Sequence, residues 1–328
     1  MTTREHINEY FNGRPFMILC ALALMVATVV AVMLGVRPVT TDGNGMFFSL
    51  GGRLVEHGRL SAVINVLCLL ATGGIMLALN KVFAFVRSVT HLCVSAFFLL
   101  QLANPSGLVA FNSGTLLAAV TAVATMPLFA SFQDRHSQRS IFLIFAMVAM
   151  GTMFDYSYLM LIPAFLLGFI NMGVFNLKGV LAMLFGLFTP FWIVLGLGIA
   201  SPSHFAAPHI QGIWHATGHT LSSPLFALSV VTAVLGIVLA VLNLMTIMNY
   251  RMQTRVYNAF FVFVLIMVVI ALCIDYSHVA SFLPLLGLMT AVQVAHAHTL
   301  RTASQHRYIF IVLLCVGSVA FCAANLML

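Results

Sequence analysis

Residues 16–36 read FMILCALALMVATVVAVMLGV, a run with no charged side chain, preceded by Arg14 and closed by Arg37. At about 1.5 Å of rise per residue, some 20 apolar residues cross the roughly 30 Å hydrocarbon layer of a bilayer as one helix. The run is too long for a signal-peptide core and has no small-residue cleavage site before Arg37, so an uncleaved signal anchor is expected. Comparable runs recur to the end of the chain, at 60–79, 83–102, 112–132, 140–154, 157–175, 179–199, 224–248, 257–274, 279–297 and 308–326. Hydrophobic residues make up 62% of the 328 and charged ones only 6%. Such a chain has too few polar groups to face water as a soluble globular domain. The expected fold is all-α, a polytopic transmembrane bundle of about eleven spans.

The basic residues orient this bundle. Arg4, Arg14, Lys81, Arg87, Arg135, Arg139, Lys178, Arg251, Arg255, Arg301 and Arg307 fall in every second gap between the apolar runs. Lys and Arg accumulate in short cytoplasmic loops, which places these gaps and the N-terminus inside. The net charge of +7 is then mainly a topology signal, and nucleic acid is not an expected partner. Three basic residues break the rule. Arg37, Arg53 and Arg59 share the first outer gap, 37–59, with Asp42, Glu56 and His57.

A repeat runs through the second and third parts of the chain. Asp155-Tyr156-Ser157 closes one short run and Asp275-Tyr276-Ser277 another, each followed by a proline, Pro163 or Pro284. Arg135 and Arg255 stand at the same offset upstream. This suggests a parallel repeat of two four-helix units, 105–223 and 224–328, behind a three-helix unit, 1–104, within one membrane domain. The short runs ending at Asp155 and Asp275 predict that both carboxylates lie below the outer lipid surface. A carboxylate there needs water or a partner, so a polar vestibule opening outward is expected, lined by Asp155, Tyr156, Asp275, Tyr276 and His278. An N-cap role for each Asp, accepting from the free N–H groups of the next helix, is the simpler alternative.

Loop 37–59 is the strongest candidate site. Arg37, Arg53 and Arg59 could hold a phosphate through bidentate hydrogen bonds, with His57 beside them, while Asp42 or Glu56 activates a hydroxyl. The alternative is an interfacial helix whose arginines hold lipid head groups. The outer loop 200–223 holds His204, His209, His215 and His219. His215 and His219 would share a helical face able to bind zinc or copper, but Gly218 lies between them and no local carboxylate assists, so no metal or cofactor is expected. The six cysteines sit in apolar runs with no Cys-x-x-Cys spacing and read as packing residues. Thr189 stands ready to satisfy the carbonyl that Pro190 frees within its span. No P-loop, Gly-x-Ser-x-Gly or His-Glu-x-x-His motif is present.

In this first outer loop the chain resembles the GT-C class of membrane glycosyltransferases, which use polyprenyl-phosphate sugars at the outer face. The resemblance implies Asp42 as catalytic base and Arg53 or Arg59 as phosphate contacts, although Gly43 stands where a second acid is common. Over more of its length, through Asn80-Lys81, Arg87-Ser88-Val89-Thr90, 140–145, 175–179 and 185–192, the chain is similar to a family of uncharacterised multi-span bacterial inner-membrane proteins. That resemblance implies the membrane class and carries no activity.

The expected function is therefore that of a bacterial inner-membrane envelope protein handling an amphipathic, lipid-linked or phosphate-bearing substrate, in its sharpest form a glycosyltransferase. The alternatives are a transporter or flippase working through Asp155 and Asp275, and a non-catalytic assembly subunit.

Overall fold

The computed structural model describes residues 9–39, 45–48, 58–86, 90–134, 136–174, 176–216, 223–247, 250–300 and 307–327, all of whose regular structure is helical. The principal helices are α1 (Arg14–Met33), α2 (Gly58–Phe83), α3 (Leu92–Leu102), α4 (Ser113–Ala130), α5 (Gln138–Thr152), α6 (Leu161–Asn171), α7 (Leu177–Gly196), α8 (Pro224–Ile247), α9 (Met252–Ile274), α10 (Val279–Leu300) and α11 (Arg307–Met327). Among the described residues, eight are long and apolar enough to cross a membrane, α10 together with the turn before it counting as one. The remaining three, α3, α5 and α6, are shorter apolar helices. The protein is thus membrane-embedded, with the exposed Phe185, Phe188 and Trp192 of α7 on a surface suited to lipid.

Local chemistry sets the helix limits. Asn112 and Asn176 begin α4 and α7, their side chains accepting from Thr115 N and Gly179 N at 2.8 Å each, the usual N-cap arrangement. At the other end of α6 and of α7, Gly173 and Gly198 take φ near +70°, a conformation that only glycine adopts without strain. There Val174 N returns to Phe169 O and Ile199 N to Val194 O, satisfying carbonyls at the helix end.

Two sequence expectations are revised. The run 83–102 is not one helix: α2 extends to Phe83 and α3 begins only at Leu92. The run ending at Asp275 is not short. It starts at Met252, so α9 has 23 residues and Arg255 lies inside the helix. Shortness therefore accounts for a recessed carboxylate at Asp155, after the 15-residue α5, but not at Asp275.

The core is organised around α10, buried throughout its apolar window and packed by α8, α9, α3 and α4. All three expected units meet on this helix. It crosses α4 closely, where a Cβ on Gly114 would lie 2.5 Å from Ser281 O and 2.7 Å from Ala280 O. Small residues at such crossings let backbones approach, which matters in lipid because burying apolar surface against another helix gains little over burying it in acyl chains. Toward the end of the bundle bearing Arg251 and Lys178, Phe129 stacks on Tyr257 at 4.0 Å, and Tyr257 Oη donates to Phe129 O at 3.2 Å.

Candidate functional site

Hydrogen bonds sort the loops into two ends. At one end Asn12 meets Thr90 and His298, and Asn171 meets Val256. The opposite end collects residues 45–48, 104–115, 152–157, 200–216 and 275–281, and it holds the residues singled out by sequence. Met46 N and Phe47 N donate to the carbonyls of Thr152 and Met153, and Ala206 N donates to Met46 O. Part of the loop between α1 and α2 is thus brought to the Asp155 corner.

Asp155 caps the turn Tyr156–Met160, its Oδ1 accepting from Ser157 N at 2.8 Å. Its Oδ2 accepts from Ser281 Oγ at 3.1 Å, and Ser281 in turn bonds Ser113 Oγ at 2.8 Å. Ser113 lies in the first turn of α4 and Ser281 in the first turn of α10. The positive ends of two helices, with the turn leading into α6, thus surround one carboxylate. This explains how Asp155 is buried, 2% exposed, with no Lys, Arg or His ion pair among the described residues. The expected open vestibule is not what surrounds it: protein closes over this carboxylate, because Ser281 and Ser113 supply the polar partners that water would otherwise provide.

Asp275 stands at the second corner in a different role. Its Oδ2 pairs with His278 Nδ1 at 2.8 Å and its Oδ1 accepts from Ser277 Oγ at 2.7 Å. A longer bond comes from Gln211 N at 3.4 Å, and Tyr276 N donates back to Gln211 O at 2.8 Å. The N-cap alternative therefore holds for Asp155 and not for Asp275, whose side chain caps no backbone of its own turn. Burial pushes the Asp275 carboxyl upward, but the bonds from His278 and Ser277 outweigh it and hold the group below the ordinary carboxylate value.

One loop ties the corners together. Tyr156 Oη donates to Ala206 O, and five residues later Gln211 grips Asp275 and Tyr276. A cleft of about 230 Å³ beside the second corner is lined by Gln211, His215, Ser223, Tyr276 and Ser277. Among the described residues, no three His, Cys, Asp or Glu side chains come together as a metal site. Within α7, Thr189 donates to Phe185 O, one residue before the carbonyl that Pro190 leaves free.

Of the loop 37–59 candidates, Asp42, Arg53, Glu56 and His57 lie outside the described residues, as does His219. Arg37 and Arg59 are exposed and make no ion pair among the described residues. Arg59 stands at the mouth of a groove of about 600 Å³ between α1 and α2, lined by Met25, Val29, Met33, Val63, Leu67 and Leu70 among others. Thr28 also lines it, but its hydroxyl is bonded to Leu24 O, so the walls are effectively apolar. From Arg59 to Leu70 the groove runs about 16 Å along α2. Sequence reading passed over the groove, Ser113 and Ser281, none of which carries a motif. Comparison with protein-family models, with curated proteins and with solved structures finds no match to this chain.

Proposed function

We propose that this protein of the bacterial cytoplasmic membrane binds a phosphate-bearing lipid, holding its hydrocarbon chain in the α1/α2 groove and its phosphate at Arg59, and presents the head group to the outer end of the bundle. The groove carries this reading. Its length of about 16 Å is that of one leaflet, half of the roughly 30 Å hydrocarbon layer, and its mouth holds a guanidinium that makes no ion pair among the described residues. Arginine suits phosphate because its planar fork donates two parallel hydrogen bonds. The basic residues of the alternate gaps support an outward orientation for this mouth. In the sharpest form of the reading, a sugar is transferred from a polyprenyl phosphate with Asp42 as base, Arg37, Arg53 and Arg59 on the phosphate, and Glu56 and His57 beside it.

The test is native mass spectrometry of the detergent-purified chain with a polyprenyl phosphate and with the matching polyprenol. The phosphate lipid should be retained and the alcohol released. Arg59→Gln should weaken retention about tenfold or more, the loss of a charge-assisted hydrogen bond. Equal retention of phosphate and alcohol, or by Arg59→Gln and the unaltered chain, would refute the reading. Transfer itself is tested by Asp42→Asn: full glycan transfer by that variant would remove Asp42 as base.

A transport reading draws on a different observation, the Asp275–His278 pair at the outer end of the buried helix α10. It predicts that Asp155→Asn and Asp275→Asn, rather than Asp42→Asn, abolish movement of the lipid or solute.

A further inference from the structure

The chain's two tryptophans, Trp192 and Trp214, lie in one stretch, residues 179–250, that carries no Lys, Arg, Asp or Glu. Trp192 is in the last two turns of α7 and Trp214 in the loop that follows, and both are largely exposed. Of the 20 residues of α7 only Gly179, Gly186 and Pro190 are buried. The helix therefore touches the bundle along one narrow face, chiefly against α5, and offers the rest to lipid. This apolar surface does not stop where the helix stops. Leu197, Ile199, Phe205, Ile210 and Trp214 are each more than half exposed and carry it on through loop 197–216. Exposed apolar surface on this scale marks a contact with a membrane or with another protein.

The loop has two sides. On one, the protein grips its main chain. Met46 O accepts from Ala206 N, Ala206 O accepts from Tyr156 Oη, and Gln211 is held through both its N–H and its carbonyl by Asp275 and Tyr276. Phe205 meets Phe47 edge to face, their centroids 6.3 Å apart. These contacts fix the loop across the two Asp-Tyr-Ser corners and leave its large apolar side chains uncovered on the other side. An irregular loop cannot enter the hydrocarbon layer itself, because acyl chains offer its N–H and C=O groups no partner. At the boundary of head groups and acyl chains the two demands are met together: water and head groups serve the main chain, and the apolar side chains reach the tails. Tryptophan is enriched at that boundary.

We propose that loop 197–216 is a membrane-interface anchor, lying in the outer leaflet at the head-group boundary with Leu197, Ile210 and Trp214 against the acyl chains. It would thereby fasten the strap over Asp155 and Asp275 to the lipid surface. The occupant is lipid because the exposed surface of the loop continues that of α7 with no charged residue between them, whereas a protein-docking patch is bounded by a polar rim. The same lack of charge defines the kind of contact. Anchoring rests on apolar burial, so it is indifferent to whether the head groups are zwitterionic or anionic. The inference uses neither the α1/α2 groove nor Arg59.

Trp192→Phe leaves Trp214 as the sole tryptophan, and its emission in reconstituted phosphatidylcholine vesicles tests the proposal. Lipid brominated high on the acyl chain, near the head group, should quench Trp214. Lipid brominated near the chain end should quench it less, and aqueous iodide least. Adding phosphatidylglycerol should leave this order unchanged. Ile210→Asp, at an exposed position, should withdraw the loop: bromine quenching falls, iodide quenching rises and emission moves to longer wavelength, while the melting temperature holds. Quenching by iodide and not by bromine would place the loop in water, and protection from both would place it against a second copy of the chain. Stronger quenching by the deep bromines would place it in the hydrocarbon layer, and any of these three results overturns the proposal. Arg59→Gln should leave bromine quenching unchanged, so loss of lipid retention and loss of loop anchoring are separate failures.

Discussion

Asp155 Oδ2 and Ser281 Oγ, 126 positions apart in the chain, are joined by a buried hydrogen bond of 3.1 Å. The bond fastens the first Asp-Tyr-Ser corner to the helix that follows the second, and Ser113 extends it to α4. A carboxylate with two neutral donors and two helix N-termini around it is satisfied without a cation, so its first role is to hold three helices in register.

Removing this carboxylate leaves Ser157 N and Ser281 Oγ without their acceptor. Hydrogen bonds to a charged group contribute about 1.5–3 kcal/mol each, so Asp155→Ala should lower the melting temperature of the detergent-solubilised protein by several degrees. Ser281→Ala should cost less than Asp155→Ala, and the double variant should fall short of the sum because the two share one bond. Strict additivity in the thermal scans would show that the bond contributes nothing.

Gly114 tests the same junction by crowding. The Cβ of Gly114→Ala meets backbone oxygens of Ser281 and Ala280, which cannot rotate away as a side chain would. Overpacking of this kind costs about 1–3 kcal/mol, and the thermal scan should show it. Gly74→Ala, where a Cβ meets nothing within 4 Å, should leave the melting temperature unchanged or raise it.

The second corner predicts an acid-dependent loop. The Asp275 carboxyl is held below its ordinary value by His278 and Ser277, so its proton is bound more weakly in the folded state than in the unfolded one. Its stabilising contribution is then present above the ordinary value of about 3.9 and is lost as pH falls through the lower folded value. Trp214 lies three residues from Gln211, which bonds this carboxylate. In a Trp192→Phe background, Trp214 emission should hold steady at neutral pH and change below about pH 4. Asp275→Asn should abolish that transition, and His278→Ala should move it to higher pH. An unchanged acid limb in Asp275→Asn would show that the carboxylate does not tether the loop.

The groove can be closed without touching its charge. Val63 lines it and is 55% exposed, so Val63→Trp fills the chain-binding space with little clash against the core. Retention of the phosphate lipid should fall while the melting temperature stays constant, and native mass spectrometry with a thermal scan reads both. Undiminished retention would place the lipid elsewhere.

Much of this architecture is legible in the sequence for a simple reason. Each of the eleven apolar runs overlaps a helix, because a chain in lipid must satisfy its backbone hydrogen bonds within the segment itself, and the signal is local. The exceptions are local too: α3 starts late, and α9 starts early because Met252–Val256 is helical despite Arg255. The candidate site was legible only in part. Asp155, Asp275 and their tyrosines stood out as rare groups in an apolar chain, and the structure gathers them at one end beneath one loop. The groove left no trace, since Met25, Val29 and Val63 read like any other lipid-facing residues. The buried polar residues of α10 are spaced by apolar neighbours, and the partners of Gln293, Asn243 and Asn258, lie on other helices.

The sequence by itself determined that the chain is helical, that it lives in a membrane, and at which gaps its charges collect, because hydropathy and charge act residue by residue. Only the tertiary structure decided that α10 is the enclosed axis, that Asp155 meets Ser281 and not water, and that Asp275 meets His278 and the main chain of Gln211. Those outcomes depend on helix register and close approach, which arise when distant segments pack and which no single segment encodes.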